Sequence, residues 1–340
     1  MKDLKLGLQL GYWSARPPEG FVEMVQEAER LGFDSVWTAE AYGSDAITPL
    51  AYLAAQTETI RLGTGVCQLS ARTPTAMAMA AMTLDHLSQG RFILGLGVSG
   101  PQVVEGWYGG PFSKPLARTR EYVSIIRKVL ERKEPVTNDG PHYPLPYQGE
   151  GSWGLGKPLK SIVHPLRERI PIFMGAEGPK NVAQTVEIGD GWLPLYYSPY
   201  RNEVYADSLR ERGPDFEITQ GVVVSITDDV EQGLLPVKGM LALYVGGMGA
   251  KDRNFHKELI ARFGFEEAAE KIQELYLAGR KDEAMMAVPD QLADEISLVG
   301  PKERIRDRLQ AWRETPITSL LVSPRTHSEL STIAELVLGA

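Results

Sequence analysis

Short apolar runs alternate along the chain with stretches whose apolar residues recur every three or four positions. The runs are LKLGLQLG (residues 4–11), DSVWTAE (34–40), IRLGTGVCQL (60–69), RFILGLGV (91–98), IPIFMGA (170–176), GWLPLYYS (191–198), ITQGVVVSIT (218–227) and TSLLVS (318–323). They are rich in β-branched and aliphatic residues and read as buried strands. Between them, Phe21, Met24, Val25, Ala28 and Leu31 fall on one helical face. PLAYLAAQTET, Thr75–Leu87, Arg118–Glu131 and Pro179–Ile188 read as further helices. A last one starts with Pro301 as first helical residue and carries Ile305, Leu309 and Trp312 on one side.

Strands alternating with amphipathic helices predict a parallel sheet. Eight such units in 340 residues predict an α/β fold, a (β/α)8 TIM barrel, rather than two dinucleotide-binding halves. The whole chain, 1–340, is expected to be a single barrel domain with insertion segments at about 99–117, 132–168 and 228–290. In such a barrel the loops after the strands build the active site. The segments after strands four and seven therefore start on the catalytic face. The segment at 132–168 leaves from the opposite one, which makes His142 and Tyr143 weaker catalytic candidates. The glycine-rich stretch from Leu243 to His256 is expected to be a mobile lid.

Composition narrows the function classes. A net charge of −8 without a basic run argues against nucleic acid as a partner. The single cysteine, Cys67, excludes an internal disulfide and fits a reducing cytosol. The N-terminus has no signal-peptide core, and no apolar run approaches the roughly 18 residues of a membrane span. A cytoplasmic protein is expected. Five histidines lie far apart without metal-ligand spacing, so no metal site is expected.

Five motifs carry candidate chemistry. GLGVSG (Gly95–Gly100) matches a dinucleotide fingerprint literally, but Pro101 and a loop follow it in place of a helix. Small residues that keep the strand exit open are the plainer reading. GVSGP falls short of a nucleophile elbow, and no histidine pairs visibly with Ser99, so a serine hydrolase has little support. GTGVCQLSARTP (Gly63–Pro74) puts glycines and Arg72 near the mouth, as a ligand-approach site or as a plain glycine bulge. Cys67 there reads as a small buried hydrophobe. WTAEAYGSD ends a strand on Glu40, either a proton-transfer group or a helix-start charge. AEGPKN (Ala176–Asn181) is a small-residue turn opening a helix at Pro179. Its amides and Lys180 can hold a phosphate. Glu177, itself an anion, then turns its side chain aside or accepts from a ligand hydroxyl.

The stretches LGLQLGYW, GFDSVWTAEAYGSD, IRLGTGVCQLSARTP, LDHLSQGRFILGLGVSGPQVVEGWYG, IPIFMGAEGPKNVAQTVEIGDGWLP and LVGPKERIRDRL, in this order and spacing, resemble the luciferase-like monooxygenase superfamily. The likeness runs from about Leu6 to Ser323 and is nearest the branch that uses coenzyme F420, an 8-hydroxy-5-deazaflavin. It implies a barrel with added segments, generally dimeric, and hydride transfer between the deazaflavin and a small organic substrate. It also implies site residues. Gly65 and Val66 match a cis-peptide bulge under the deazaflavin ring, and Gln68 lies beside it. Val98 and Ser99 face the ring or ribityl chain. Ala176, Glu177, Gly178 and Lys180 match the phosphate loop, and Glu40 an acidic position near the cofactor. Where the sugar-phosphate dehydrogenases of this branch carry a histidine and a glutamate, this sequence has Ala41 and about Gly100. The proton-transfer pair for alcohol oxidation is missing. Reduction of an activated C=C or imine asks less, with Tyr12, Glu40 or water supplying the proton. Tyr12, Trp13, Trp107 and Tyr108 are expected as aromatic walls.

The alternatives are an FMN-dependent monooxygenase of the same fold and a non-catalytic cofactor-binding barrel. A small-molecule substrate and a homodimer are the expected partners, with no membrane and no nucleic acid.

Overall fold

A computed structural model describes residues 3–249 and 254–339. Its strands, in chain order, are β1 (Lys5–Gly11), β2 (Ser35–Thr38), β3 (Arg61–Thr64), β4 (Cys67–Gln68), β5 (Phe92–Gly97), β6 (Ile172–Gly175), β7 (Gly191–Leu193), β8 (Glu217–Gly221), β9 (Val223–Ile226), β10 (Ser297–Gly300) and β11 (Ser319–Val322). The main sheet runs β3-β2-β1-β11-β8-β7-β6-β5-β4, and β3 also pairs with β5, which closes it. Its ladders are parallel. Because β3 and β4 form one stave interrupted at Gly65–Val66, the closed sheet is the eight-stave barrel that the alternating pattern predicts.

Around it lie α1 (Phe21–Arg30), α2 (Ile47–Ala54), α3 (Pro74–Leu87), α4 (Pro101–Gly106), α5 (Pro115–Glu131), α6 (Pro179–Ile188) and the short α7 (Glu203–Ala206). These are followed by α8 (Val230–Gly247), α9 (Phe255–Ile260), a π-helical turn at Ala261–Phe265, α10 (Glu266–Leu277), α11 (Lys281–Met286), α12 (Asp290–Glu295), α13 (Lys302–Arg313) and α14 (His327–Leu338). No described helix is long and apolar enough to cross a membrane. Local chemistry sets the helix starts. Thr73 accepts from the Ala76 amide at 3.3 Å and Pro74 opens α3.

Inside the barrel, Trp37, Ile93, Phe173 and Leu321 form a buried cluster with Leu193 against it. Glycines on facing staves make the room. A Cβ on Gly63 would lie 2.4 Å from the Trp37 ring, and one on Gly7 2.3 Å from Leu321. At the strands' N-terminal end, Arg61 bonds Glu217 through both guanidinium nitrogens (2.7 and 2.8 Å) and also bonds Asp34. Lys5 adds a second cation to Glu217 at 3.1 Å.

Three expectations are corrected. The run at 218–227 splits: β8 stays in the barrel, and β9 leaves it to pair in parallel with β10. The last helix is expected to take Pro301 as its first helical residue. Pro301 caps α13, which begins at Lys302. The third correction concerns GLGVSG, which runs straight into the short helix α4, with Gly100 as its N-cap.

The insertion after strand seven is mainly helical. The expected lid, Leu243–His256, spans the end of α8 and the start of α9, and residues 250–253 of it lie outside the described residues. The segment after α5 runs back along that helix. Glu121 accepts from the Tyr143 amide (2.7 Å) and from Asn138 (2.7 Å), and Tyr143 stacks edge-on against Tyr122. Tyr143 thus stands behind Tyr122 as a buttress.

Candidate functional site

The interrupted stave is where the site begins. The Gly65 amide donates to the Thr38 carbonyl at 2.6 Å, the Gly65–Val66 bond is cis, and the Glu40 amide reaches the Val66 carbonyl at 3.3 Å. Val66 sits against both following staves. A Cβ at Gly97 would lie 2.5 Å from Val66 Cγ2, and one at Gly175 3.3 Å from Val66 Cγ1. At Gly95 a Cβ would fall 1.7 Å from the Thr64 carbonyl oxygen. Gly95 and Gly97 of GLGVSG are therefore there for close approach, and the ends of staves three, four and five meet at one place. Beyond Gly97, Val98 and Ser99 are half-buried, and Ser99 adopts a left-handed φ of 59° as the chain turns into α4.

Glu40 brackets this bulge. Its Oε1 accepts from the Gln68 amide (2.9 Å) and from Arg72 Nη1 (3.0 Å). Its Oε2 accepts from Arg72 Nη1 (2.9 Å) and the Ala46 amide (3.4 Å). The carboxylate is buried, and both of its oxygens are engaged. Proton transfer through it requires breaking the bracket that joins the bulge to the 41–46 turn. Gln68 returns a bond from Nε2 to the Glu40 carbonyl at 3.1 Å, while its own Oε1 is buried without a described partner. Tyr122 donates to the Arg72 carbonyl at 3.0 Å. Cys67 is fully buried, and burial followed by the nearby Glu40 charge pushes its thiol well above the ordinary range, as a packing residue requires.

Beside the bracket lies a cavity of about 240 Å³ lined by Glu40, Ala41, Asp45, Arg72, Trp107 and Tyr108 among others. Tyr42 faces Trp107 at 6.4 Å between ring centres. A larger hollow of about 320 Å³, at Ile226, Asp228 and Lys302, shares none of these residues.

The loop after β6 opens α6 as its sequence predicts. Gly178 is the N-cap, with no side chain to satisfy the first amides, and the space around it is open. The Asn181 amide is used inside the turn, donating to the Gly178 carbonyl at 2.9 Å. Ala176 is buried, and its carbonyl accepts from the Trp192 indole at 2.8 Å; Lys180 is exposed. The Glu177 side chain turns to His256, with Oε1 2.8 Å from Nδ1, and its Oε2 is buried without a described partner. Arg262, in the π-helical turn, donates to the Glu177 carbonyl at 3.1 Å. The Tyr244 ring packs edge-on against His256 at 5.0 Å between centres, and burial, followed by Tyr12, Glu177 and Tyr42, raises its phenol. Tyr12 is about half exposed, at 56%. Sequence reasoning missed Tyr244, Arg262 and the partner of His256. Tyr244, His256 and Arg262 lie 67, 79 and 85 residues from Glu177 in no recognisable pattern; the glycine-rich stretch before His256 was the one hint. Two of these links are direct: Glu177–His256 spans 79 residues and Glu177–Arg262 spans 85.

Comparison with known proteins follows this geometry. The family profile described as luciferase-like monooxygenase matches residues 7–319. A Mycobacterium tuberculosis protein named as a coenzyme F420-dependent oxidoreductase is 53% identical, over 98% of this chain and 99% of its own length. The 5,10-methylenetetrahydromethanopterin reductase of Archaeoglobus fulgidus is 28% identical, over 87% of each chain. Among solved structures, the coenzyme F420-dependent tetrahydromethanopterin reductase of Methanopyrus kandleri superposes with a TM-score of 0.80 at 22% identity, covering 99% of both chains.

Proposed function

Because the chain belongs to the luciferase-like monooxygenase family, in its F420-dependent oxidoreductase branch, we propose that this enzyme binds coenzyme F420 and uses it to reduce an activated double bond in a small organic substrate. The observation that carries this reading is Val66 wedged between Gly97 and Gly175, which brings three strand ends to one bulge. The residues present fit the cofactor. The orphaned Gln68 Oε1 offers an acceptor beside the bulge, and Gly178 offers open backbone at a helix N-terminus. Gly65, Val66, Gln68, Val98 and Ser99 would hold the ring and ribityl chain, and Ala176 to Lys180 the phosphate. When bound, the deazaflavin supplies a hydride; binding, orientation and shielding come from the barrel.

Glu40 serves in this reading as the bracket of the bulge, and Tyr12 or water as the proton source at the mouth. Position 41 is alanine, and Glu40 is committed to Arg72. That arrangement supports reduction over alcohol oxidation, which needs a free base for the hydroxyl proton. A cytosolic homodimer belongs to the same reading, checked by sedimentation of the purified protein.

Steady-state turnover with reduced F420 over a panel of enones, imines and secondary alcohols tests the proposal. Reduction confined to the unsaturated compounds supports it. Turnover of alcohols alone, or oxygen consumption with reduced FMN, contradicts it.

A further inference from the structure

We propose that the free edge of the Arg72 guanidinium binds the carbonyl oxygen of a conjugated enone or enal in the cavity between Ala41 and Tyr108. Arg72 thereby becomes the residue that selects this substrate class. The proposal rests on the functional reading above and deepens it.

Arg72 has two hydrogen-bonding sides. Its Nη1 is spent on both oxygens of Glu40. The other side, the Nε–Nη2 edge, makes no described hydrogen bond. Nη2 stands 3.5 Å from Asp45 Oδ1, an ion-pair distance longer than a good N–H···O bond. Asp45 is meanwhile occupied by the Ile47 and Thr48 amides, both at 2.9 Å. Tyr122 anchors the Arg72 backbone by donating to its carbonyl, and Glu40 holds the guanidinium through Nη1. Arg72 lines the cavity, and its Nε–Nη2 edge is the part of the guanidinium left for a ligand, a pair of N–H donors with a permanent charge that suits an oxygen acceptor. Among the described residues, no other cation lines that cavity. Besides the Glu40 and Asp45 carboxylates, its remaining wall is small or aromatic, through Ala41, Gly43, Ser44, Ala71, Trp107 and Tyr108. Burial and then Glu40 raise the Tyr108 phenol, so it stays protonated as a second O–H donor in the same space.

The chemistry follows from that donor edge. Hydride from the reduced deazaflavin adds to the β-carbon of a C=C–C=O unit and forms a C–H bond. The C=C pair moves to bond the α-carbon to the carbonyl carbon, and the C=O pair moves onto oxygen. The substrate is reduced by two electrons and the deazaflavin is oxidised by two. Negative charge gathers on the oxygen that Arg72 holds, where preorganised donors act most strongly. Water then protonates the α-carbon, giving the saturated carbonyl compound. A guanidinium cannot give up its proton at working pH, so it stabilises without being consumed. The two carboxylates of the cavity are engaged, Glu40 by Arg72 and the Gln68 amide and Asp45 by the Ile47 and Thr48 amides, so neither stands free as a base for an alcohol.

The test uses Arg72→Lys, which keeps a cation for Glu40 and lacks the planar edge. Binding of cyclohex-2-enone to the cofactor-free protein is read by tryptophan fluorescence and by ligand-observed NMR, alongside enone turnover. Enone affinity should fall at least about tenfold and kcat/KM about a hundredfold, well beyond any accompanying change in deazaflavin affinity. Asp45→Asn removes the rival charge and still caps α2; it should tighten enone binding and lower KM. Wild-type enone binding and turnover in Arg72→Lys would overturn the proposal. So would an N-methyl dihydroisoquinolinium ion reduced faster than the enone by the wild type. If Arg72→Lys fails to fold, Asp45→Asn decides, and an unchanged KM there counts against the idea. A wild-type protein that binds enone but no deazaflavin defeats the functional reading and leaves the Arg72 site standing.

Discussion

The Glu177 carboxylate lies 2.8 Å from Nδ1 of His256 and so ties the phosphate-type loop after β6 to the start of α9. Arg262 adds a second tie to the Glu177 carbonyl. The insertion after strand seven is thus fastened over the mouth by the same loop that would hold the cofactor phosphate. His256→Ala leaves both oxygens of a largely buried carboxylate without a partner, a loss of about 1–3 kcal/mol. Urea unfolding should show it, and hydrogen exchange should rise in 254–265 ahead of the barrel strands. Wild-type exchange there would mean that the contact fastens nothing.

Glu40 and Arg72 depend on each other in the same way. Glu40→Ala strands a half-buried guanidinium and frees the Gln68 amide; breaking such a pair costs about 3–5 kcal/mol where it is fully buried, and somewhat less here. Glu40→Gln keeps an acceptor for Gln68 and should lose less. Unfolding free energies of the two variants give the comparison, and equal losses would argue that the charge, not the bracket, matters.

Gly95→Ala is the sharpest packing test. Its methyl would meet the Thr64 carbonyl oxygen at 1.7 Å, and that oxygen belongs to backbone held in the barrel. Overpacking of this kind costs about 1–3 kcal/mol or more. A lowered melting temperature is expected together with weaker deazaflavin binding, because the displaced strand carries the bulge. A variant as stable as the wild type would show that the stave ends are looser than described.

At the base of the barrel, burial pushes the Glu217 carboxyl up, but Arg61 and Lys5 outweigh it and hold its pKa below the ordinary value. A carboxylate whose folded pKa is depressed contributes stability above its unfolded pKa of about 4.3, and that contribution is lost as pH falls through the lowered value. The melting temperature should therefore fall below about pH 4.3. Glu217→Gln should lower stability at neutral pH and flatten the acid limb. An acid limb identical in the two proteins would place the pH sensitivity elsewhere.

Much of this was readable in the residues. Helix α6 begins and ends where Pro179 and Ile188 predict it, because proline and the following periodicity mark both boundaries. The bulge at Gly65–Val66 was accessible only through family likeness, since a glycine in a strand has several meanings. The departure of β9 was hidden because 218–227 is one continuous apolar run, and period alone does not say which sheet a strand joins. Arg72 was visible as a residue near the mouth. Its commitment to Glu40, 32 positions away, needed the fold. His256 and Arg262 were the hardest to see, as their partner lies far back in the chain and the link is one of tertiary packing.

Equilibrium titration of the wild-type protein with F420 and FMN in parallel, at one ionic strength, addresses the central claim most directly. The bulge, the Ser99 turn and the Gly178 loop, in a chain whose relatives are F420-dependent, predict saturable F420 binding at one equivalent per chain, with FMN bound far more weakly. Tight FMN binding, or indifference to both, would contradict it.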